Sequence, residues 1–231
     1  MNDMRDLWKR GTQEIAVLAG LGVAALGGLS FAYIAEETFE GETRQIDEAW
    51  LLALRAKGDR ADPIGPRWFE LAVADITSLG GYAVLTLLVI AVASYLLAIG
   101  KRTAAVLVVG AVASGTVLSE TLKLGFARPR PDLVAHLAEV QSGSFPSGHA
   151  MLSAITYLTL GALLARFHKQ RAVKGVFLAL AVVVTLMVGA SRVYLGVHWP
   201  TDVLAGWSLG AAWAALWWLI AWIAQPSDRS E

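Results

Sequence analysis

The 231-residue sequence contains no cysteine, and only 16% of its residues are charged. Without cysteine the protein forms no disulfide bond, no thiolate metal site and no cysteine nucleophile. An ordinary soluble domain is about 25% charged, so this composition is atypical of soluble proteins. The formal net charge is zero. Because binding to a nucleic-acid backbone needs an excess of basic residues, the charge balance argues against a nucleic-acid partner.

Hydrophobic residues make up 56% of the chain and are concentrated in six long runs with little or no charge. The runs cover residues 15–35, 76–100, 103–119, 150–165, 175–191 and 203–225. A helix needs about 20 mostly apolar residues to cross a bilayer, and uncharged neighbours extend the shorter runs to this length. We therefore predict an all-α integral membrane protein, a single domain of residues 1–231 with six transmembrane helices, rather than a soluble helical bundle.

Lysine and arginine in the short connections predict the orientation, because these residues are enriched in cytoplasmic loops. The basic residues that fall on one side of the six helices are Arg5, Lys9, Arg10, Lys101, Arg102, Arg166, Lys169, Arg171, Lys174 and Arg229. This side should be cytoplasmic, and both termini lie on it. The outer face begins with a loop of about 36–75 that mixes both signs, and its segment IDEAWLLALRA has helical spacing.

The chain reaches the outer face for the second time after the third helix, which ends near Lys123. The segment Arg128-Pro129-Arg130-Pro131 comes next. Each proline disfavours helix in the residue before it, so the two arginines are displayed from extended chain. The loop ends in FPSGHA, where Gly148 permits close approach of a ligand to the backbone. The fourth helix begins there, and the amides of residues 147–150 are expected to be free donors for an anion.

The third emergence is the stretch SRVYLGVHWPTD, between two apolar runs. Arg192 ends the fifth helix, and Pro200 is suited to the first position of the sixth. Asp202 follows His198 by four residues, so its carboxylate can accept a hydrogen bond from one imidazole nitrogen and leave the other free to attack. Cations together with free amides are typical of a phosphate-binding pocket. An oriented histidine can be a nucleophile, and a second histidine can be a general acid. These parts suit phosphoryl transfer, in which cations rather than a metal can stabilise the charge.

These residues match a known pattern: the sequence resembles the type 2 phosphatidic acid phosphatase superfamily. The signature of that family is K-x6-R-P, then P-S-G-H, then S-R-x5-H-x3-D. The three motifs are intact here, in order and at the family's spacing, at Lys123 to Pro131, Pro146 to His149 and Ser191 to Asp202. The motifs span residues 123–202, and the six apolar runs extend the resemblance to nearly the whole chain.

The resemblance implies that His198 is the nucleophile, that Asp202 orients it and that His149 protonates the leaving oxygen. The phosphate-binding residues that it implies are Lys123, Arg130, Ser147, Gly148 and Arg192. The family needs no metal, so no cofactor is expected. Family spacing selects Arg130 rather than Arg128 for the phosphate, although strict extension would aim both side chains the same way.

Each of these residues also has an ordinary structural interpretation. Taken singly, Arg130 and Arg192 could be cations anchored at the headgroup level, and Asp202 could be a first-turn acid that favours the helix dipole. Their occurrence together on one face favours a reaction site. Glu120, one turn before Lys123, is expected to be its ion-pair partner. His136 and His168 lie outside the three motifs and are expected to face solvent.

The sequence thus predicts a membrane lipid phosphatase that acts on a lipid mono- or diphosphate at its outer face through a phosphohistidine. Membrane lipids are its surroundings, and no obligate protein partner is implied. The length and the two-sided loops are typical of a bacterial inner-membrane protein with a periplasmic site. The alternatives are a lipid phosphotransferase with a second lipid as acceptor, a vanadate haloperoxidase of the same superfamily, which six spans disfavour, and a transporter without catalytic activity.

Overall fold

The computed structural model describes residues 2–139 and 142–224, with side chains described from residue 14 onward. The helices, all of them α-helical, are α1 (Asn2–Glu40), α2 (Arg44–Ala53), α3 (Arg67–Ser78), α4 (Tyr82–Ala98), α5 (Arg102–Phe126), α6 (Gly148–Phe167), α7 (Arg171–Tyr194) and α8 (Pro200–Ala224). A two-stranded antiparallel ribbon of β1 (Arg55–Ala56) and β2 (Asp59–Pro63) is the exception to the all-α prediction. The predicted cytoplasmic cations Arg5, Lys9, Arg10 and Arg229 lie outside the described side chains.

The prediction of a six-span membrane protein is confirmed, with one change. Five helices are each long and apolar enough to cross a bilayer, namely residues 14–40 of α1 together with α5, α6, α7 and α8. The sixth span is the pair α3 and α4, which bends by 50° between Ser78 and Tyr82. The sequence run 76–100 was expected to form a single span, whereas the chain breaks at Gly80-Gly81 and the helix begins earlier, at Arg67. Sharp kinks at paired small residues are common in long helices.

Helix α6 lies at the centre of the bundle and packs against α4, α5, α7 and α8. Its small and medium side chains make this possible, and Ala150, Ala154 and Ile155 are fully buried. In a membrane the hydrophobic effect does not drive helices together, so their association depends on close packing. Small residues allow the helix backbones to approach closely. The start of α6, which carries the PSGH motif, is therefore fixed on several sides by neighbouring helices.

Substituting Gly206 by alanine is expected to loosen this central contact. A Cβ at Gly206 would lie 2.7 Å from the Ser147 carbonyl oxygen and 3.1 Å from the Met151 amide nitrogen, so α8 would have to move away from α6. Overpacking of this kind typically costs about 1–3 kcal/mol, and we expect a lower Tm in detergent. Gly28 in α1 is the matched control, because a Cβ there meets nothing within 4 Å. Equal Tm values for Gly206→Ala and Gly28→Ala would contradict this packing.

The outer loop of about 36–75 is folded and packs on the ends of α7 and α8. The helical spacing of IDEAWLLALRA correctly predicted α2, which begins two residues before this segment and ends at Ala53. Buried Arg55 donates to the carbonyl oxygen of Tyr194 at 2.9 Å and so caps the end of α7. The Tyr194 hydroxyl in turn donates to the Ile64 carbonyl at 2.8 Å. Burial lowers the pKa of Arg55.

Four phenylalanine rings fix the loop between α5 and α6 onto α1. Phe145 is fully buried, and its ring centroid lies 5.1 Å from that of Phe126 and 5.9 Å from that of Phe31. Phe39 completes the cluster by stacking on Phe126 at 4.8 Å. Aromatic pairs at such separations add to the apolar burial. The residue directly before the PSGH motif is therefore anchored in the core.

Candidate active site

The structure brings the three sequence clusters together at one end of the helical bundle. Lys123 lies in the last turn of α5, His149 in the first turn of α6, Arg192 in the last turn of α7 and Asp202 in the first turn of α8. His198 lies in the short connection between α7 and α8. Alternating helices point the same way, so two helix starts and two helix ends meet on one face. Residues that are far apart in sequence thereby form one site.

His198 is buried between a carboxylate and a guanidinium. Its Nδ1 lies 3.4 Å from Oδ2 of Asp202, and its Nε2 lies 3.2 Å from Nη1 of Arg130. A guanidinium can only donate hydrogen bonds, so Nε2 is the acceptor and the proton of the neutral imidazole is on Nδ1. This tautomer places the lone pair on Nε2, where it accepts from Arg130, and directs the N–H towards Asp202.

Burial lowers the pKa of His198 to about 4, and Asp202 partly opposes this shift. A charged imidazole is disfavoured where water is excluded, whereas a neighbouring carboxylate favours it. His198 is therefore neutral at pH 7. Only the neutral form carries the lone pair that a nucleophile needs.

Both oxygens of the Asp202 carboxylate are occupied. Oδ2 accepts from the Ser144 hydroxyl at 2.6 Å and from the Trp199 amide at 2.9 Å, in addition to facing His198. Oδ1 accepts from Nη1 of Arg128 at 2.6 Å. Asp202 is fully buried, so these donors compensate for the loss of water around its charge. The orientation of the carboxylate is set by its neighbours rather than by solvent.

Three cations, Lys123, Arg130 and Arg192, lie in the same cluster as His149 and His198. Buried Lys123 is paired with Glu120 at 3.1 Å, as predicted. Arg130 donates to the carbonyl oxygens of Val197 and Ser142 at 2.6 and 2.9 Å, and burial lowers the pKa of its guanidinium. Arg192 is 3% exposed and donates to the Thr77 hydroxyl at 3.1 Å, but its Nε has no hydrogen-bond partner among the described residues.

The site holds more positive than negative charge, of which Lys123 and Arg192 are buried and Arg130 is half-buried. The nearby carboxylates, Glu120 and Asp202, are paired with Lys123 and Arg128 respectively. A buried charge without a partner is costly, because it loses its hydration without gaining a compensating contact. Arg130 and Arg192 therefore suit an anion at the Nε2 side of His198. The geometry matches a phosphoryl group, since arginine forks fit its oxygens.

The first turn of α6 has two free amides for an anion, those of Gly148 and His149, instead of the predicted four. The Ser147 amide donates to the carbonyl of Asp202 at 2.9 Å, and the Ala150 amide faces the Ser147 hydroxyl at 3.5 Å. Within the described part of the chain, the amides of Gly148 and His149 have no such acceptor. The expectation of free donors throughout 147–150 was wrong at both ends, because Ser147 caps the helix and contacts α8.

Gly148 lies directly against Lys123. A Cβ at this position would lie 2.8 Å from Nζ of Lys123 and 3.4 Å from the hydroxyl of Tyr82. Glycine therefore leaves room for the ammonium group beside the free amides. His149 is close enough to Arg192, His198, Lys123 and Arg130 to interact with their charges, so it lies at the same site as the proposed nucleophile.

The guanidinium of Arg128 does not join the candidate phosphate site formed by Lys123, Arg130 and Arg192. Its Nη1 donates to Asp202 and, at 2.9 Å, to the Thr201 hydroxyl, while its Nη2 donates to Asp47 at 2.8 Å. The guanidinium also lies over the ring of Trp199 at 5.6 Å. The guanidinium groups of Arg128 and Arg130 thus contact different partners. Arg128 instead joins two buried carboxylates.

Sequence analysis did not identify several residues that contact the site. They are Asp47, Thr77, Tyr82, Ser142, Ser144 and Thr201. The spacing of α2 did contain one signal: Asp47 shares the buried face of the helix with Leu51, one turn later. A carboxylate on the apolar side of an amphipathic helix requires a partner. Tyr82 gave no such signal, since its hydrogen bond to Glu120 forms only because the α3–α4 break brings it to α5.

The other two histidines are exposed, as predicted. His136 faces the carbonyl of Pro131 at 2.6 Å, and His168 that of Leu164 at 2.9 Å. In residues 2–139 and 142–224, no group of three or more histidine, aspartate or glutamate side chains is arranged to hold a metal ion.

Comparison with known proteins assigns the fold and the site to a family. The PAP2 superfamily model matches residues 104–226, which is more than half of the chain and contains all three motifs. The chain belongs to the PAP2 superfamily. The resemblance inferred from the three motifs is therefore confirmed, and with it the enzyme class of a phosphoric ester or diphosphate hydrolase.

Individual proteins are similar to parts of the chain. Phosphatidylglycerophosphatase B of Bacillus subtilis is 36% identical over 149 residues, which cover 62% of this chain and 70% of that protein. An undecaprenyl-diphosphatase of Sulfolobus acidocaldarius is 43% identical over 68 residues, or 29% of each chain.

A solved structure extends the PAP2 likeness to the N-terminal helices. The crystal structure of a transmembrane PAP2 type phosphatidylglycerolphosphate phosphatase from Bacillus subtilis has a TM-score of 0.78 at 29% identity. The match covers 90% of this chain and 98% of the other. The chain is thus a multi-pass membrane protein of the PAP2 fold.

Proposed function

We propose that this protein is a lipid phosphatase that removes phosphate from a lipid mono- or diphosphate by way of a phosphohistidine on His198. The observation that carries the proposal is the contact of the neutral His198 Nε2 with Arg130, within a cluster that also holds His149, Lys123 and Arg192. A nucleophile beside a cluster of buried cations fits a phosphoryl group. The similar Bacillus and Sulfolobus proteins, named for lipid phosphates, support a lipid substrate.

The reaction follows from these positions. The Nε2 lone pair of His198 forms a bond to phosphorus as the phosphorus–oxygen bond to the lipid breaks, and protonated His149 donates its proton to the leaving oxygen. Lys123, Arg130, Arg192, the Ser147 hydroxyl and the Gly148 amide bind the phosphoryl oxygens and stabilise their charge. Asp202 stabilises the positive charge that develops on the imidazole. Water then attacks phosphorus, gives its proton to His149 and releases inorganic phosphate from His198.

The proposed location is the outer leaflet of a bacterial inner membrane, with the site facing the periplasm. The end of the bundle opposite the site carries the basic connections at Lys101-Arg102 and between Arg166 and Lys174. Basic connections favour the cytoplasmic side, so the site would face outward. The location is testable by labelling of single cysteines, introduced at Glu48 and Lys169, in intact cells with an impermeant thiol reagent.

We expect purified protein in detergent to release inorganic phosphate from at least one of phosphatidylglycerol phosphate, phosphatidic acid and undecaprenyl diphosphate. The buried cations bind the phosphoryl group that these lipids share, whatever the leaving group. The measurement is the initial rate of phosphate release for each lipid. Transfer of labelled phosphate to a second lipid, without release of free phosphate, would instead identify a phosphotransferase.

Two additions to this assay test the chemistry. Activity is expected to survive a strong chelator, and vanadate is expected to inhibit by mimicking the transition state on His198. Complete loss with the chelator, restored by a divalent ion, would contradict a mechanism based on protein cations alone.

A further inference from the structure

The carboxylate of Asp47, in the outer helix α2, is completely buried against the first turn of α8. Its Oδ1 accepts from the Thr201 amide at 2.9 Å. Its Oδ2 accepts from the Thr201 hydroxyl at 2.7 Å and from Nη2 of Arg128 at 2.8 Å. Thr201 directly precedes Asp202. Asp47 therefore contacts the catalytic carboxylate's own helix turn and the cation that binds that carboxylate.

Arg128 divides its guanidinium between two acids. Nη2 is directed to Asp47, and Nη1 is directed to Oδ1 of Asp202 at 2.6 Å. Arginine offers donors in a rigid plane, and with a single carboxylate it tends to pair through two parallel hydrogen bonds. Asp47 occupies one side of the fork. Asp202 thus receives only one hydrogen bond from Arg128, at the oxygen that faces away from His198.

This division leaves Oδ2 of Asp202 for the catalytic side. The Oδ2 atom faces His198 Nδ1 and accepts from Ser144 and the Trp199 amide. If Arg128 paired with Asp202 alone, its second N–H would draw Oδ2 out of this arrangement. It would also neutralise the carboxylate more fully, which weakens its interaction with the imidazolium that forms during the reaction.

We propose that Asp47 is a positioning residue for the reaction, which sets the orientation and effective charge of Asp202, and so of His198, by sharing Arg128 with it. The inference rests on the proposed function, in which His198 is the nucleophile. It gives the outer helix α2 a role in catalysis although that helix contributes no group to the phosphate pocket.

The test measures kcat and KM in detergent, at a temperature well below the Tm of every variant. The substrate is the fastest of phosphatidylglycerol phosphate, phosphatidic acid and undecaprenyl diphosphate. Asp47→Asn retains an acceptor for the Thr201 amide but loses the charge that holds Arg128. We expect kcat to fall at least tenfold with KM changed less than threefold. Arg128→Gln should have a similar effect, and the double variant should be within threefold of the worse single variant, because both changes break the same interaction.

Two matched variants separate positioning from docking of the outer helix. Glu48→Gln alters the neighbouring acid, whose ion pair with Arg44 lies on the exposed side of α2, and kcat should stay within twofold of the wild type. Thr201→Val removes the hydroxyl that bonds Asp47 and Arg128 but retains all three charges, and it should cost less than threefold.

Three outcomes would overturn the inference: wild-type kcat in Asp47→Asn, losses that multiply in the double variant, or a loss in Thr201→Val as large as that in Asp47→Asn. His198→Ala serves as the reference. If His198→Ala turns over at the wild-type rate, or if no lipid in the set is hydrolysed, the proposed function itself fails. If His198→Ala is inactive while Asp47→Asn is unaffected, only the role of Asp47 is wrong.

Discussion

Replacing His198 by alanine is expected to lower phosphate release at least 1,000-fold, on the order of the losses seen when a catalytic nucleophile is removed. The change deletes the atom that would form the covalent bond to phosphorus. It leaves the cations Lys123, Arg130 and Arg192 in place, so lipid binding should persist. The measurement is the phosphate-release rate, together with acid-stable and base-stable fractions of labelled phosphate trapped on the protein at low temperature.

His168→Ala is the matched control for this variant. His168 is also a histidine next to a helix end, but it is exposed and lies at the far end of the bundle, beyond α6. It should retain the wild-type rate and the trapped phosphate. Labelled phosphate that remains on the protein in His198→Ala would show that another residue is the nucleophile.

The Arg128→Ala and Arg130→Ala variants are expected to differ: the first should mainly lower the Tm, and the second should mainly lower kcat/KM. Arg128→Ala leaves the buried carboxylates of Asp47 and Asp202 without their shared cation. Breaking a buried ion pair from one side typically costs about 3–5 kcal/mol, so the main effect should be a lower Tm. Arg130→Ala should change the Tm much less, because its guanidinium is half-buried and binds backbone carbonyls. It should lower kcat/KM about 100-fold, through lost stabilisation of the phosphoryl charge.

The comparison is made on folded protein, with Tm from a thermal scan in detergent and kcat/KM from initial rates. Activity per folded molecule should then be lower in Arg130→Ala than in Arg128→Ala. Arg60, exposed in the β-ribbon, provides a control in Arg60→Ala, for which neither quantity should change. A large fall in Tm for Arg130→Ala, with wild-type kcat/KM per folded molecule, would contradict its place in the phosphate site.

Most of the membrane architecture could be predicted from the sequence because span length is a local property. An apolar run of about 20 residues is long enough for the bilayer whatever the rest of the chain does. The break at Gly80-Gly81 was not predicted, since apolar residues continue through it. It depends on α3 packing against α7 while α4 packs against α5. That bend brings Thr77 to Arg192 and Tyr82 to Glu120.

The chemical content of the site was also present in the sequence. Residue types fix what a histidine, a carboxylate or an arginine can do, and the four-residue spacing of His198 and Asp202 brings them together across a single helix start. The pairing of Lys123 with Glu120 follows from helical geometry in the same way. Such relations span one or two turns, so no knowledge of the rest of the fold is needed to infer them.

The sequence by itself determined the membrane class and the family, and it supplied the residues of the proposed phosphate pocket. Only the tertiary structure decided the partners of Arg128, the use of the Ser147 amide by α8 and the contact of Asp47 with Thr201. These contacts join residues that are 55 to 154 positions apart. Two arginines separated by one proline look equivalent in the sequence, because the partners of each side chain depend on residues far away in the chain. The carboxylates that select one direction lie on other helices, and only the packing of α2 and α8 brings them to Arg128.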